Sequence, residues 1–168
     1  MPPRFCSECG ARLVAREIDG RARQHCAACD RIAYENPVPA AAVAVRRGQQ
    51  VLLCRRAIEP FRGSWTLPAG YQEVDEAIET TAVREVREET GLVVKLTGLL
   101  DVLTTTDDPR KPAILVVYEA EEVEGELLPG SDADEVAFHA LDALPRDVGF
   151  SNHRRILERL SRGADRRW

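Results

Sequence analysis

Residues 70–92 read GYQEVDEAIETTAVREVREETGL, and this stretch decides how the rest of the chain is read. Ile78, Ala82 and Val86 recur every four positions, which predicts one apolar face of a helix. Asp75 is the expected N-cap, with Glu76 near the positive end of the helix dipole. Thr90-Gly91 is a helix-stop signal. Glu85, Glu88 and Glu89 stand at i, i+3 and i+4, so they project from one side. Three crowded like charges repel, and a hard divalent cation such as Mg²⁺ or Mn²⁺ turns that repulsion into coordination. Arg84 precedes the cluster and can pair with Glu88 one turn on. The plain alternative is a solvated acidic face, since charge runs are usually surface.

Ahead of this stretch, Cys6-x-x-Cys9 and Cys26-x-x-Cys29 are separated by sixteen residues. That spacing fits a four-cysteine zinc site, in which four thiolates close a tetrahedron and leave no open position for catalysis. A module this short buries little core, so metal binding is expected to supply most of its folding free energy. Asp19-Gly20 suits a hairpin turn between two short strands. His25 adjoins Cys26 but is read as a bystander. Six arginines (Arg4, Arg12, Arg16, Arg21, Arg23 and Arg31) against five carboxylates give the module a nearly balanced surface.

The chain has 168 residues, 44% hydrophobic and 30% charged, with a net charge of −5. These values fit one compact domain plus a small module. The negative balance argues against broad nucleic-acid binding through phosphates, although a bound cation can reverse the local sign for a small anionic substrate. No apolar run approaches a membrane span, and the start MPPRFCSECG lacks a signal peptide's apolar core. A cytoplasmic protein without membrane contact is expected. Cys54 is read as a buried, inert thiol.

Residues 36–39 read as a short hinge, and the expected division is 1–36 for the zinc module, 37–162 for the main domain and 163–168 for a flexible basic tail. Ala40–Val45 and Gln50–Arg55 read as strands joined by a turn. Arg55 and Arg56 end the second strand and are candidates for substrate phosphate. Residues 93–102 read as one or two strands, 104–112 as a polar recognition loop, 113–120 as a buried strand and 121–130 as an acidic turn region. Glu135–Phe138 reads as a short strand. Ser151–Arg162 reads as an amphipathic helix capped by Ser151, with Ile156, Leu157 and Leu160 inward.

The spacing G-x5-E-x7-R-E-U-x-E-E-x-G-U, with U apolar, is filled at every fixed position from Gly70 to Leu92. It resembles the Nudix box of the Nudix hydrolases. Residues 61–70, FRGSWTLPAG, resemble the family's preceding G-x-W-x-L-P-x-G stretch, with Ala69 in place of the usual glycine. The cysteine module resembles the N-terminal zinc ribbon of a subset of that family. The resemblance implies an α/β/α sandwich with a mixed sheet, and a short helix-like segment at 141–144. It implies a metal-dependent enzyme that splits the diphosphate of a nucleoside diphosphate linked to another moiety.

By family position, Glu85, Glu88 and Glu89 would hold Mg²⁺ or Mn²⁺ with the carbonyl of Gly70. Glu88 or Glu85 would act as base, and Arg84 would position a carboxylate. Glu76 would support the loop and helix. Glu135 is the candidate for a further acid from beyond the box, with Asp132 and Asp134 as rivals. FAD or an ADP-ribose-like substrate is favoured; the Ser-Gln-Pro-Trp-type motif of the NADH pyrophosphatases is missing, as is a large domain before the ribbon, which lowers NADH. A nucleotide-sensing protein that uses the ribbon for nucleic-acid or partner contacts is the alternative, and action on capped RNA a weaker one. Members of the family often dimerise, and the sequence leaves the oligomer open.

Overall fold

The computed structural model describes residues 2–105, 107–108, 111–130 and 132–163. The chain divides after Pro37 into two compact units. In the first, β1 (Val14–Ile18), β2 (Arg21–Cys26) and β3 (Arg31–Ala33) form an antiparallel sheet. Asp19 and Gly20 both take positive φ, 51° and 71°, at the turn between β1 and β2. That is the geometry of a two-residue hairpin loop whose twist matches its strands. Leu13, Cys6 and Cys26 make a small buried cluster, with Ala11 and Ala33 against it.

The second unit is built around β4 (Val38–Arg47), whose run of alanines and valines is buried on both faces. Such near-continuous apolar runs mark strands covered on both sides. Ala40, Ala42 and Ala44 face one core with Val51, Leu53, Ile156, Leu157 and Leu160. Ala41, Val43 and Val45 face the other, with Leu52, Ala82, Val86 and Leu92. The period of two along β4 therefore divides the unit into two apolar layers, one under each helix.

Further strands are β5 (Gln50–Arg56), the short β6 (Trp65–Thr66) and β7 (Ala69–Tyr71), β8 (Leu92–Thr105), β9 (Ala113–Gly125) and β10 (Ala133–Ala140). The order is β10-β5-β4-β9-β8, with β6 on β5 and β7 on β4. Among the described strands β4 and β9 pair in parallel and the other pairs are antiparallel, so the sheet is mixed. Helix α1 (Ile78–Thr90) and helix α2 (Ser151–Ser161) complete an α/β/α sandwich. No helix among the described residues is long and apolar enough to cross a membrane.

Several details differ from the expectations. Helix α1 starts at Ile78 with Ala77 as N-cap and no side-chain cap, so Asp75 does not cap it. Residues 73–76 instead close a turn in which Glu76 Oε1 accepts from the Glu73 amide at 3.0 Å. Its C-terminus is as expected: Gly91 takes φ 76° and donates to Arg87 O at 2.9 Å. The strand β8 is continuous from Leu92 through Thr105. The acidic stretch 121–125 is not a turn but the end of β9, where Glu122 pairs with Arg47 and Glu121 lies opposite Arg46. Residues 141–143 form turns rather than a helical segment. Ser151 begins α2 without capping it by its own side chain. Asp107 does so instead, its Oδ2 accepting from the Ser151 amide and hydroxyl, each at 2.9 Å. Residues 106, 109 and 110 of the expected recognition loop and 164–168 of the expected tail lie outside the described residues.

Candidate functional site

The acidic set lies on α1 where the helix faces β7. Its hub is Arg84, whose guanidinium holds Glu76 Oε1 at 2.7 Å, Glu85 Oε1 at 2.7 Å and Glu88 Oε2 at 3.1 Å. A single nitrogen, Nη1, bridges Glu85 and Glu88. Glu76 also accepts from the Thr81 hydroxyl at 2.8 Å, which fixes the brace from the helix's first turn. The Arg84 guanidinium, with the Glu73 amide and Thr81 behind it, holds the Glu76 carboxyl down at about 2.

Glu85 packs so closely on Gly70 that any β-carbon there would overlap its carboxylate. This glycine is required by contact, not by backbone freedom. Burial raises the Glu85 pKa, against the pull of Arg84. Glu89 is the buried member, 8% exposed, with Oε2 accepting from the Ala69 amide at 3.3 Å. Burial first, then the charge of Glu85, pushes it up to about 8. Its neighbour Cys54 is itself buried and raised by desolvation. Glu88 is half exposed, so the set grades from buried to open along one face.

Not every candidate joins this set. Glu135 sits on β10 as an exposed carboxylate 3.5 Å from Arg55, and burial lowers the nearby His139 against the pull of its charge. Arg55 turns to Gly63 O, at 3.0 Å, and to Glu135. Arg56 turns the other way and lines a cavity of about 280 Å³, together with Ala69 and Gly70. Thr105, Asp108 and Lys111, from the described part of the expected recognition loop, line it as well.

Two features here carry no local sequence signal. Phe61 and Phe150 both have positive φ, 62° and 45°, and their rings pack edge to face at 4.8 Å. Such backbone costs about 1–3 kcal/mol per residue and persists where the surroundings over-determine it. Phe150 also lines the cavity, beside the buried His153. The Phe61–Phe150 contact joins segments far apart in sequence, which no local pattern announces.

In the first unit the four cysteine sulfurs lie within 4.8 Å of one another, the one such His, Cys, Asp and Glu group among the described residues. Pairs stand at 3.5, 3.6 and 3.7 Å. A tetrahedron with metal–sulfur bonds of about 2.3 Å has edges of about 3.8 Å, so the cage fits a zinc ion. Each knuckle is built alike. The amides of Cys9 and Glu8 donate to Cys6 and pull its thiol down to about 6, and those of Cys29 and Ala28 lower Cys26. Gly10 and Asp30, each just past a pair, both take positive φ. His25 Nε2 bonds Asp30 Oδ1 at 2.8 Å, away from the sulfurs.

Comparison with known proteins agrees in both units. A family model described as NUDIX domain matches residues 36–160, and one described as Nudix N-terminal, a zinc ribbon, matches residues 4–35. An ADP-ribose pyrophosphatase of Methanocaldococcus jannaschii is 37% identical over 74% of this chain and 73% of its own length. An NAD-capped RNA hydrolase NudC of Pseudomonas aeruginosa is 36% identical over 84% of this chain, which spans only 49% of that relative. The crystal structure of a NUDIX hydrolase from Nitrosomonas europaea is 31% identical, covering 95% of this chain and 91% of that one at a TM-score of 0.85.

Proposed function

The chain belongs to the NUDIX domain family, and from that premise we propose that it hydrolyses the diphosphate of a nucleoside diphosphate linked to another moiety, with ADP-ribose the favoured substrate. The observation that carries this reading is the cluster on α1: Glu85 packed on Gly70 at the cavity edge, bridged to Glu88 by one nitrogen of Arg84. The printed activity of the archaeal relative supports ADP-ribose. FAD remains a substrate to test, and NADH ranks below both.

The donor set suits a hard divalent cation, because it is all oxygen and Glu89 is buried without an ion-pair partner among the described residues. Glu85, Glu88, Glu89 and the Gly70 carbonyl would hold Mg²⁺ or Mn²⁺. Such an ion, when bound, neutralises the diphosphate and lowers the pKa of water. Glu88 or Glu85 takes a proton from the attacking water. Water adds to one phosphorus, the bond to the bridging oxygen breaks, and a nucleoside monophosphate and a second phosphate leave. Arg84 sets the spacing of the two glutamates and Glu76 braces Arg84. Glu135 would join only by leaving Arg55, 3.5 Å away. The four ribbon cysteines would hold a structural zinc.

A hydrolysis panel tests this: ADP-ribose, an ADP-sugar, FAD, NADH, NAD and a nucleoside triphosphate, each with Mg²⁺ or Mn²⁺ and with products separated by chromatography. Preferential cleavage of ADP-ribose to AMP and ribose phosphate is expected. No turnover of any diphosphate would overturn the reading and favour a nucleotide sensor. The NudC relatives give a second reading, removal of an NAD cap from RNA, and a capped oligonucleotide belongs in the same panel.

A further inference from the structure

We propose that His153 determines which substrates the cavity accepts, by presenting its Nε2–H beside the Arg56 guanidinium to a phosphoryl oxygen of the substrate. The proposal rests on the diphosphate-hydrolysis reading above and names a recognition group for it. His153 stands in the first turn of α2, 4% exposed, and lines the cavity. Its Nδ1 accepts the amide of Leu67 at 3.2 Å, across 86 positions of chain. Leu67 is fully buried, so its N–H depends on that lone pair. With Nδ1 occupied as an acceptor, the hydrogen-bond network places the ring proton on Nε2. Among the described residues no protein acceptor is bonded to Nε2.

Protonating Nδ1 would orphan the Leu67 amide and set a second cation beside Arg56. Burial, reinforced by Arg56 and opposed by Asp107, keeps the imidazole neutral down to about 4. The ring therefore offers an uncharged donor throughout the neutral range. Arg56 spends Nε on Pro60 O at 2.7 Å, which leaves its terminal nitrogens for the cavity. One aromatic ring backs both groups: Phe150 lies 5.1 Å from the guanidinium and 5.3 Å from the imidazole. That ring sits on the unusual backbone noted above, so the corner is held by strained structure. Glu59 and Asp108 share the cavity lining, so it is not cationic throughout. A charged and an uncharged donor side by side suit one anionic oxygen, and Gly70 in the same lining sets that oxygen near the acidic set.

Two substitutions separate recognition from folding. In His153→Asn the amide oxygen can still accept from Leu67, but no donor reaches the Nε2 position. KM for the preferred diphosphate should rise about tenfold or more, the scale of a lost hydrogen bond to a charged acceptor, with Tm and kcat near wild type. In His153→Gln a donor reaches the Nε2 position and the acceptor for Leu67 is lost, so Tm should fall while KM recovers toward wild type. An Asn variant with wild-type KM overturns the proposal. If the wild-type protein turns over no diphosphate, the hydrolase reading fails by itself. Calorimetric binding of AMP and of inorganic pyrophosphate to wild type and His153→Asn then decides: weaker binding by the variant supports the donor role, and equal binding overturns it.

Discussion

The ribbon gathers four sulfurs within 4.8 Å through two knuckles of local backbone, whereas α1 leaves its carboxylates in graded exposure with Arg84 between them. In the ribbon, amides two and three residues past each leading cysteine supply the stabilising donors, so the site is complete from short-range structure. On α1, balance comes from one guanidinium held by three glutamates, Glu76, Glu85 and Glu88. The first arrangement suits a closed, structural metal site. The second is open on the Glu88 side and suits an arriving ligand.

This contrast can be broken by substitution. The largest effect is expected for Glu88→Gln, which should cut kcat by at least about a hundredfold, the scale of a positioned catalytic group. Thermal stability and zinc content should stay unchanged, and a near-native rate would remove Glu88 from the chemistry. Gly70→Ala comes next. A methyl group must displace the Glu85 carboxylate, and a misplacement of that size should cost about tenfold to a hundredfold in kcat/KM, measured at saturating Mn²⁺. Unchanged kinetics would show that the close contact is incidental.

Cys26→Ser addresses the other side. Elemental analysis should find one zinc per wild-type chain and less in the variant, with the ribbon losing protection in hydrogen exchange. Turnover should change far less than in Glu88→Gln; lost turnover with intact stability would reverse the assignment of the two sites. The smallest effect is expected for Glu76→Gln. The Glu76 pKa is depressed on folding, so its contribution is present above the ordinary carboxylate value and is lost as pH falls toward about 2. The acid limb of the Tm–pH curve should therefore flatten between about pH 4.5 and 2 in the variant. An unaltered limb would mean that Arg84 gains nothing from this brace.

Much of the scaffold was legible because its signals are local. Period-four apolar residues mark α1, Gly91 marks its end, and the cysteine spacing marks the ribbon. The errors arise where distant partners supply what the local sequence lacks. The stretch 121–125 looked like a turn because its glutamates are unfavourable in a lone strand, but Arg46 and Arg47 of β4 lie beside it. Asp75 looked like a cap, but Glu76 turns back to Arg84 and Thr81 and the helix begins later. Ser151 looked like a cap too, and Asp107 takes that role across 44 residues. Arg55 and Arg56 were indistinguishable as a dipeptide. Alternation along β5 sends one to Glu135 and the other to the cavity. The corner at Phe150 and His153 is completed by Phe61, Arg56 and Leu67 from far along the chain, so no periodicity could have announced it.

The alternation of β4 carries a last consequence. Alanines alone look toward α2 between positions 40 and 44, while valines look toward α1 at 43 and 45. The two sides of this strand therefore answer differently to one added methyl group. Ala42→Val would crowd the layer shared with the helix that bears His153, and Ala41→Val the layer shared with the helix that bears the glutamates.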